Sequence, residues 1–124
     1  TVLAEKIVTM IERGDANTRE RDFVDVYLLI RRHEIMAADL FAALDATASH
    51  RGSQLRSLQE SVVRLGTTRQ QEWRRTVAKY GLADEFPADF SAAIQAISEF
   101  VDPVLSKAED AGIWLPPRQR WVQQ

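Results

Sequence analysis

Apolar residues recur along this chain at intervals of three and four, and strict alternation is rare, so the pattern predicts an all-α array. At about 100° per residue, Leu3, Ala4, Ile7, Val8, Met10 and Ile11 share one broad arc of a first helix, Val2 to Arg13, which Gly14 closes. Gly14-Asp15-Ala16-Asn17 reads as a turn. Asn17 with Glu20 forms a capping-box pattern that opens a second helix to about Arg32, apolar at Phe23, Val26, Tyr27, Leu29 and Ile30. A third helix covers Ala37 to about His50 and ends near Gly52. Ser57 with Glu60 and Thr67 with Gln70 repeat the capping pattern, which predicts a short helix to Leu65 and another from Thr68 to Tyr80, closed by Gly66 and Gly81. Pro87 suits the first turn of a sixth helix, Ala88 to about Lys107, which Pro103 should kink or interrupt. From Gly112 onward the chain reads as an extended tail that packs Trp114 and Trp121 onto the helices. No stretch reads as a strand.

A length of 124 residues suits a single domain, and 45% hydrophobic with 27% charged residues is the balance of a globular protein with a real core. Cysteine is absent, which removes disulfides, thiolate metal sites and cysteine nucleophiles. No apolar run reaches the 18 or so residues of a membrane span and no charged-then-apolar leader opens the chain, so the expectation is a soluble cytoplasmic protein. The chain begins at Thr1 and turns helical at once, as expected of a part of something longer.

The net charge of −2 conceals blocks. Residues 51–79 carry seven basic side chains against two acidic, whereas residues 80–112 carry one against seven. The two blocks could attract each other within one fold. Alternatively, Arg69, Arg74, Arg75 and Lys79 could face RNA, since guanidinium groups bind phosphate in bidentate fashion. Trp73, Val77 and Tyr80 fall at core spacing, which favours packing over base stacking, and His33 and His50, far apart in sequence, read as surface or capping residues rather than a metal pair or a general base.

The front of the chain holds the sharper constellation. Lys6 borders the apolar arc of the first helix, and Arg13, seven residues on, falls within about 20° of it. In the second helix Asp22 and Asp25, three apart, lie on the border of the apolar face. A carboxylate aimed at an apolar seam must be paired or functional, because an isolated charge there costs several kcal/mol. A hairpin would bring the Lys6/Arg13 flank toward both aspartates. Such a cluster serves either as a salt bridge locking the hairpin, with Arg19 and Arg21 as further partners, or as a catalytic site.

The run Leu3-Ala4-Glu5-Lys6, Arg13-Gly14 and Thr18-Arg19-Glu20-Arg21-Asp22-Phe23-Val24-Asp25-Val26-Tyr27 resembles the AbiEii/AbiGii toxin family of nucleotidyltransferases, with its Ala-Glu-Lys helix followed by an Arg-Asp-x-x-Asp helix. The match is specific over about residues 2–30 and continues as a likeness of helical layout into the Trp-containing tail. The resemblance implies a polymerase-beta-like core followed by a helical half. It also implies membership of toxin–antitoxin or phage-defence systems with a cognate antitoxin, and transfer of nucleotides from an NTP onto RNA, in some members tRNA ends. On that resemblance Lys6 is the lysine that holds NTP phosphates, Asp22 or Asp25 is the later catalytic aspartate, and Arg13 is the nucleotide-binding arginine after the lysine.

The same family holds Mg²⁺ on an Asp-x-Asp pair shortly after a Gly-Ser turn. This chain contains no Asp-x-Asp, and Gly52-Ser53 is not followed by an acidic pair. Glu20-Arg21-Asp22 imitates the spacing, yet residues two apart on a helix point about 200° apart and cannot share an ion. The expectation is a C-terminal helical part whose N-terminal metal-binding core lies elsewhere, inert alone. The rival is a non-enzymatic interaction module that meets an antitoxin or nucleic acid through its basic segment.

Overall fold

The computed structural model describes residues 1–107 and 111–123. It is mostly α, 70% helical, with seven α-helices and a small three-stranded sheet among those residues. The elements are α1 (Val2–Arg13), α2 (Glu20–Arg32), β1 (Ile35–Met36), α3 (Ala37–Arg51), α4 (Leu58–Ser61), α5 (Leu65–Thr68), α6 (Gln70–Tyr80), α7 (Phe90–Lys107), β2 (Ile113–Leu115) and β3 (Arg120–Val122), with short 3₁₀ turns at Gly14–Ala16 and Ala83–Glu85.

Helix α1 opens on Thr1, whose hydroxyl accepts from the Ala4 N–H, and buries the arc Ala4, Ile7, Val8, Met10 and Ile11. Gly14 ends it at φ 54°, and a Cβ there would stand 2.9 Å from the Ser61 carbonyl, so both the backbone angle and the close approach require glycine. The chain then folds back into α2. The expected capping box does not form: α2 begins after Arg19 without a side-chain cap, and buried Asn17 accepts from the Arg19 N–H at 2.6 Å instead.

Helix α7 is the hub, packing against α2, α3, α4, α5 and α6 with Phe90, Ala93, Ile97, Phe100, Val101 and Val104 buried. It starts at Phe90, later than Pro87 suggested, and runs on through Pro103. Gln70 accounts for the start, since its side chain accepts from the Phe90 N–H at 2.7 Å and donates to the Ala88 carbonyl at 2.8 Å. That engagement leaves the expected Thr67 cap of α6 unformed. Trp73 stacks on Phe90 at 4.8 Å, and Phe23 meets Phe90 edge-on at 5.1 Å, which welds α2, α6 and α7 into one aromatic core.

Residues 57–68 form two one-turn helices, and carboxylates from distant parts of the chain hold both. Ser57 caps α4 as expected, accepting from the Glu60 N–H. Asp102 adds bonds from the Leu58 N–H at 2.7 Å, the Gln59 N–H at 3.3 Å and the Ser57 hydroxyl at 3.0 Å. Asp15 accepts from the N–H groups of Arg64 and Leu65. Gly66 therefore lies inside α5 instead of closing a helix, and a Cβ on it would collide with Ser91.

Where the pattern shows no strand, the structure has three short ones. The tail does pack Trp114 and Trp121 onto the helices, but it does so as a β2–β3 hairpin, with Trp114 paired to Trp121 and β1 added antiparallel on the other side, Ile35 opposite Trp114. Trp114 donates to the Ile30 carbonyl at 2.7 Å and Trp121 to the Phe100 carbonyl at 2.8 Å. Strands of two and three residues are too short to show a period of two, which is why they read as loop and tail.

Among the described residues no ion pair joins the basic block to the acidic one. Arg51 pairs with Glu12 and Arg69 with Glu20, both in the first block, while Glu85 pairs with Arg32. Glu109 and Asp110 of the acidic block lie outside the described residues.

Candidate active site

The hairpin brings Lys6, Asp22 and Asp25 together. The Lys6 ammonium stands 3.0 Å from Asp22 Oδ1 and 3.0 Å from Asp25 Oδ2. Spacing of three residues puts both carboxylates on one side of α2, and the buried neighbours Phe23, Val26 and Tyr27 fix that side against the core. Asp22 is sealed, its side chain 2% exposed, whereas Asp25 is 29% and Lys6 21% exposed. The remaining oxygens are taken as well: Arg19 Nε lies 3.0 Å from Asp22 Oδ2, and the Tyr80 hydroxyl donates to Asp25 Oδ1 at 3.3 Å. Each of the four carboxylate oxygens thus faces one donor, from α1, α6 or the turn before α2.

Burial pulls the Lys6 pKa down, but hydrogen bonds to Asp25 and Asp22 and their negative charge outweigh it and leave the pKa raised above the ordinary lysine value. The group is therefore a fixed cation at neutral pH. Tyr80 is pushed up, chiefly by burial and then by the Asp25 charge and hydrogen bond, with Arg21 acting in the opposite direction. It stays a proton donor.

Arg13 is exposed and joins neither aspartate. Glu20 and Asp22 diverge as their spacing required. Glu20 turns to Arg69, which grips it through Nε and a terminal nitrogen at 2.9 Å each and has its own pKa raised by that bond. The basic segment is thereby divided: Arg69 is part of the fold, Arg74 lines an apolar hollow with Trp73 and Phe86, and Arg75 and Lys79 are exposed without ion pairs among the described residues. His33 and His50 are exposed. Tyr80 was missed as a site residue, because its spacing with Trp73 and Val77 marks it as core and nothing local shows that its hydroxyl end reaches α2.

These residues do not make a magnesium site. Asp22 and Asp25 already face the cations of Lys6 and Arg19, and no group of three metal-ligating side chains comes together among the described residues. Among the same residues no helix is long and apolar enough to cross a membrane.

Residues 1–108 match the family model of the nucleotidyl transferase AbiEii toxin of type IV toxin–antitoxin systems. The chain belongs to this family, which supports a toxin–antitoxin nucleotidyltransferase role, with a nucleotide as substrate and an antitoxin as partner. No curated protein and no solved structure matches the chain.

Proposed function

We propose that this chain is the helical wall of an AbiEii-type nucleotidyltransferase site that takes an NTP and transfers its nucleotide to RNA, with tRNA the favoured acceptor. The observation that carries this reading is the Lys6 ammonium, charged, partly open, and held between two carboxylates at 3.0 Å. Lysine has three N–H donors, so one remains for a phosphate oxygen after Asp22 and Asp25 are served. Formation of the new phosphodiester bond at the α-phosphorus expels pyrophosphate, and the acceptor hydroxyl loses its proton to solvent. Negative charge grows on the leaving phosphates, where a prepositioned cation is most effective.

The two aspartates take different parts. Asp22, sealed and shared by Lys6 and Arg19, sets the position of the lysine. Asp25, more open and beside Tyr80, is the carboxylate that can meet substrate. Arg13, exposed and without an ion pair among the described residues, is the side chain placed to close over the nucleotide phosphates. The Mg²⁺ of this chemistry belongs on the Asp-x-Asp core, and because this sequence contains no Asp-x-Asp we assign no transfer activity to these residues by themselves. Phage defence in the cytoplasm is the setting that fits such a toxin. The competing module reading draws on exposed Arg75 and Lys79, and makes the Lys6 cluster a lock of the hairpin.

Lys6→Met and Asp15→Ala separate the two when introduced into the toxin that carries these residues and assayed for transfer of radiolabelled nucleotide to tRNA. Both lose stability, but only the first removes the cation. Lys6→Met should lower transfer by about 100-fold or more, the scale of deleting one transition-state charge partner, while Asp15→Ala stays within a few-fold of wild type. Retained transfer in Lys6→Met, or equal loss in both, overturns the proposal.

A further inference from the structure

Between the start of α2 and the second half of α6 lies an open hollow of about 590 Å³, walled by Thr18, Arg19, Arg21, Thr76, Lys79 and Tyr80. The one carboxylate on its wall among the described residues, Glu20, is neutralised by the bidentate bond from Arg69. Arginine and lysine therefore set its field. Arg21, which faces the Tyr80 hydroxyl, and Lys79 are exposed and make no ion pair among the described residues, and Arg75, one turn before Lys79 on the same side of α6, carries the positive charge beyond the edge of the hollow.

Two direct bonds tie this hollow to the proposed site: Arg19 reaches Asp22, and Tyr80 reaches Asp25. Its wall is thus the outer side of the cluster that holds Lys6. Its shape differs from a cradle for a single phosphate group, since the cations come from two helices, keep long free side chains, and continue along α6. Spread charge of that kind suits a run of phosphates held by point contacts.

Resting on the transferase reading, we infer that the α2–α6 hollow is the track for the phosphodiester backbone of the single-stranded nucleic-acid acceptor, with Arg21 and Lys79 as its phosphate contacts. The acceptor strand passes over Tyr80 and delivers its end beside Asp25 and Lys6. Arg74, which faces the apolar hollow on the other side of α6, takes no part.

The test is fluorescence anisotropy of the whole chain with a fluorescein-labelled single-stranded RNA of about twelve nucleotides, between about 50 and 200 mM salt. Arg21→Gln/Lys79→Gln should weaken binding at least tenfold at the lower salt and shrink the log–log salt slope by about 1.4, at about 0.7 per lost contact to a single strand. Arg74→Gln should bind as wild type, and unlabelled DNA of the same length should compete, because the backbone is what is held. An unchanged affinity and slope in the double variant, an equal loss in Arg74→Gln, or failure of DNA to compete overturns the inference. The melting temperatures of Arg21→Gln/Lys79→Gln and Arg74→Gln should stay near wild type, since these side chains are exposed and make no ion pair among the described residues. The Lys6→Met chain keeps the two readings apart: it should retain RNA binding, and loss equal to that of the double variant would place the RNA on the Lys6 cluster instead. If RNA behaves as expected while the Lys6→Met toxin still transfers nucleotide, the transferase reading fails and the track stands.

Discussion

Four aspartates do two kinds of work in this molecule. In the α1–α2 hairpin, Asp22 and Asp25 face side-chain cations that reach them across a helix pair. In the α4–α5 region, Asp102 and Asp15 accept from backbone N–H groups at the starts of one-turn helices. Backbone donors have nowhere else to go, so those carboxylates are consumed by the fold. Lysine and arginine heads can turn to another anion, so the hairpin pair retains capacity for a ligand. One residue type is poised in the hairpin and structural in the α4–α5 region, and the difference lies in the mobility of the donor.

The largest effect on stability should come from Lys6→Met. It leaves Asp22, 2% exposed, with Arg19 as its one cation among the described residues. Breaking a buried pair from one side costs roughly 3–5 kcal/mol, and the surviving Arg19 bond places this case at the lower end, about 3 kcal/mol by urea unfolding. Lys6→Met/Asp22→Asn should recover more than half of that, because the uncompensated charge goes with the ammonium. A double variant less stable than Lys6→Met would show that Asp22 owes its place to backbone contacts and would erase the contrast with Asp102.

Asp102→Ala comes next, at about 1–2 kcal/mol, the range for loss of a helix cap. Its signature is local: amide exchange of Leu58 and Gln59 should accelerate while that of α2 stays protected. Transfer activity should persist in the toxin, since among the described residues no hydrogen bond or ion pair of the Lys6 cluster runs to α4. Loss of protection spread evenly over α2 would mean that the two regions share one cooperative unit.

The hairpin site was legible because its partners sit on consecutive helices, where a period of 3.6 and a tight turn suffice to bring Lys6 opposite Asp22 and Asp25. Trp114 and Trp121 could likewise be read as anchors from composition alone. What failed has one physical origin, a partner remote in sequence. Asp15 and Asp102 split a stretch whose local signals at Ser57 and Thr67 suggested a different division. Gln70 resets the start of α7, Ile35 finds Trp114 to make a strand pair, and Tyr80 reaches Asp25 across the core. Family resemblance supplied a role for Arg13 that its exposed position leaves open to a ligand and gives no part in the cluster.

The smallest effect near neutrality, and the sharpest in sign, concerns pH. Lys6 is raised in the folded chain above the value of about 10.4 that it takes when unfolded. Its contribution is therefore complete below that unfolded value and disappears as pH rises through the folded one. The stability gap between wild type and Lys6→Met should stay constant from pH 7 to about 10 and narrow above it. Tyr80, also raised, loses stabilisation in the same direction, but it does so in both proteins, so the difference isolates the ammonium. Asp102→Ala leaves Lys6 and Tyr80 in place, so the gap between wild type and Asp102→Ala should stay flat to the alkaline limit of folding. A gap for Lys6→Met that closes already between pH 7 and 9 would mean that burial prevails over the two carboxylates, leaving a neutral amine unable to hold a phosphate at the start of this hairpin.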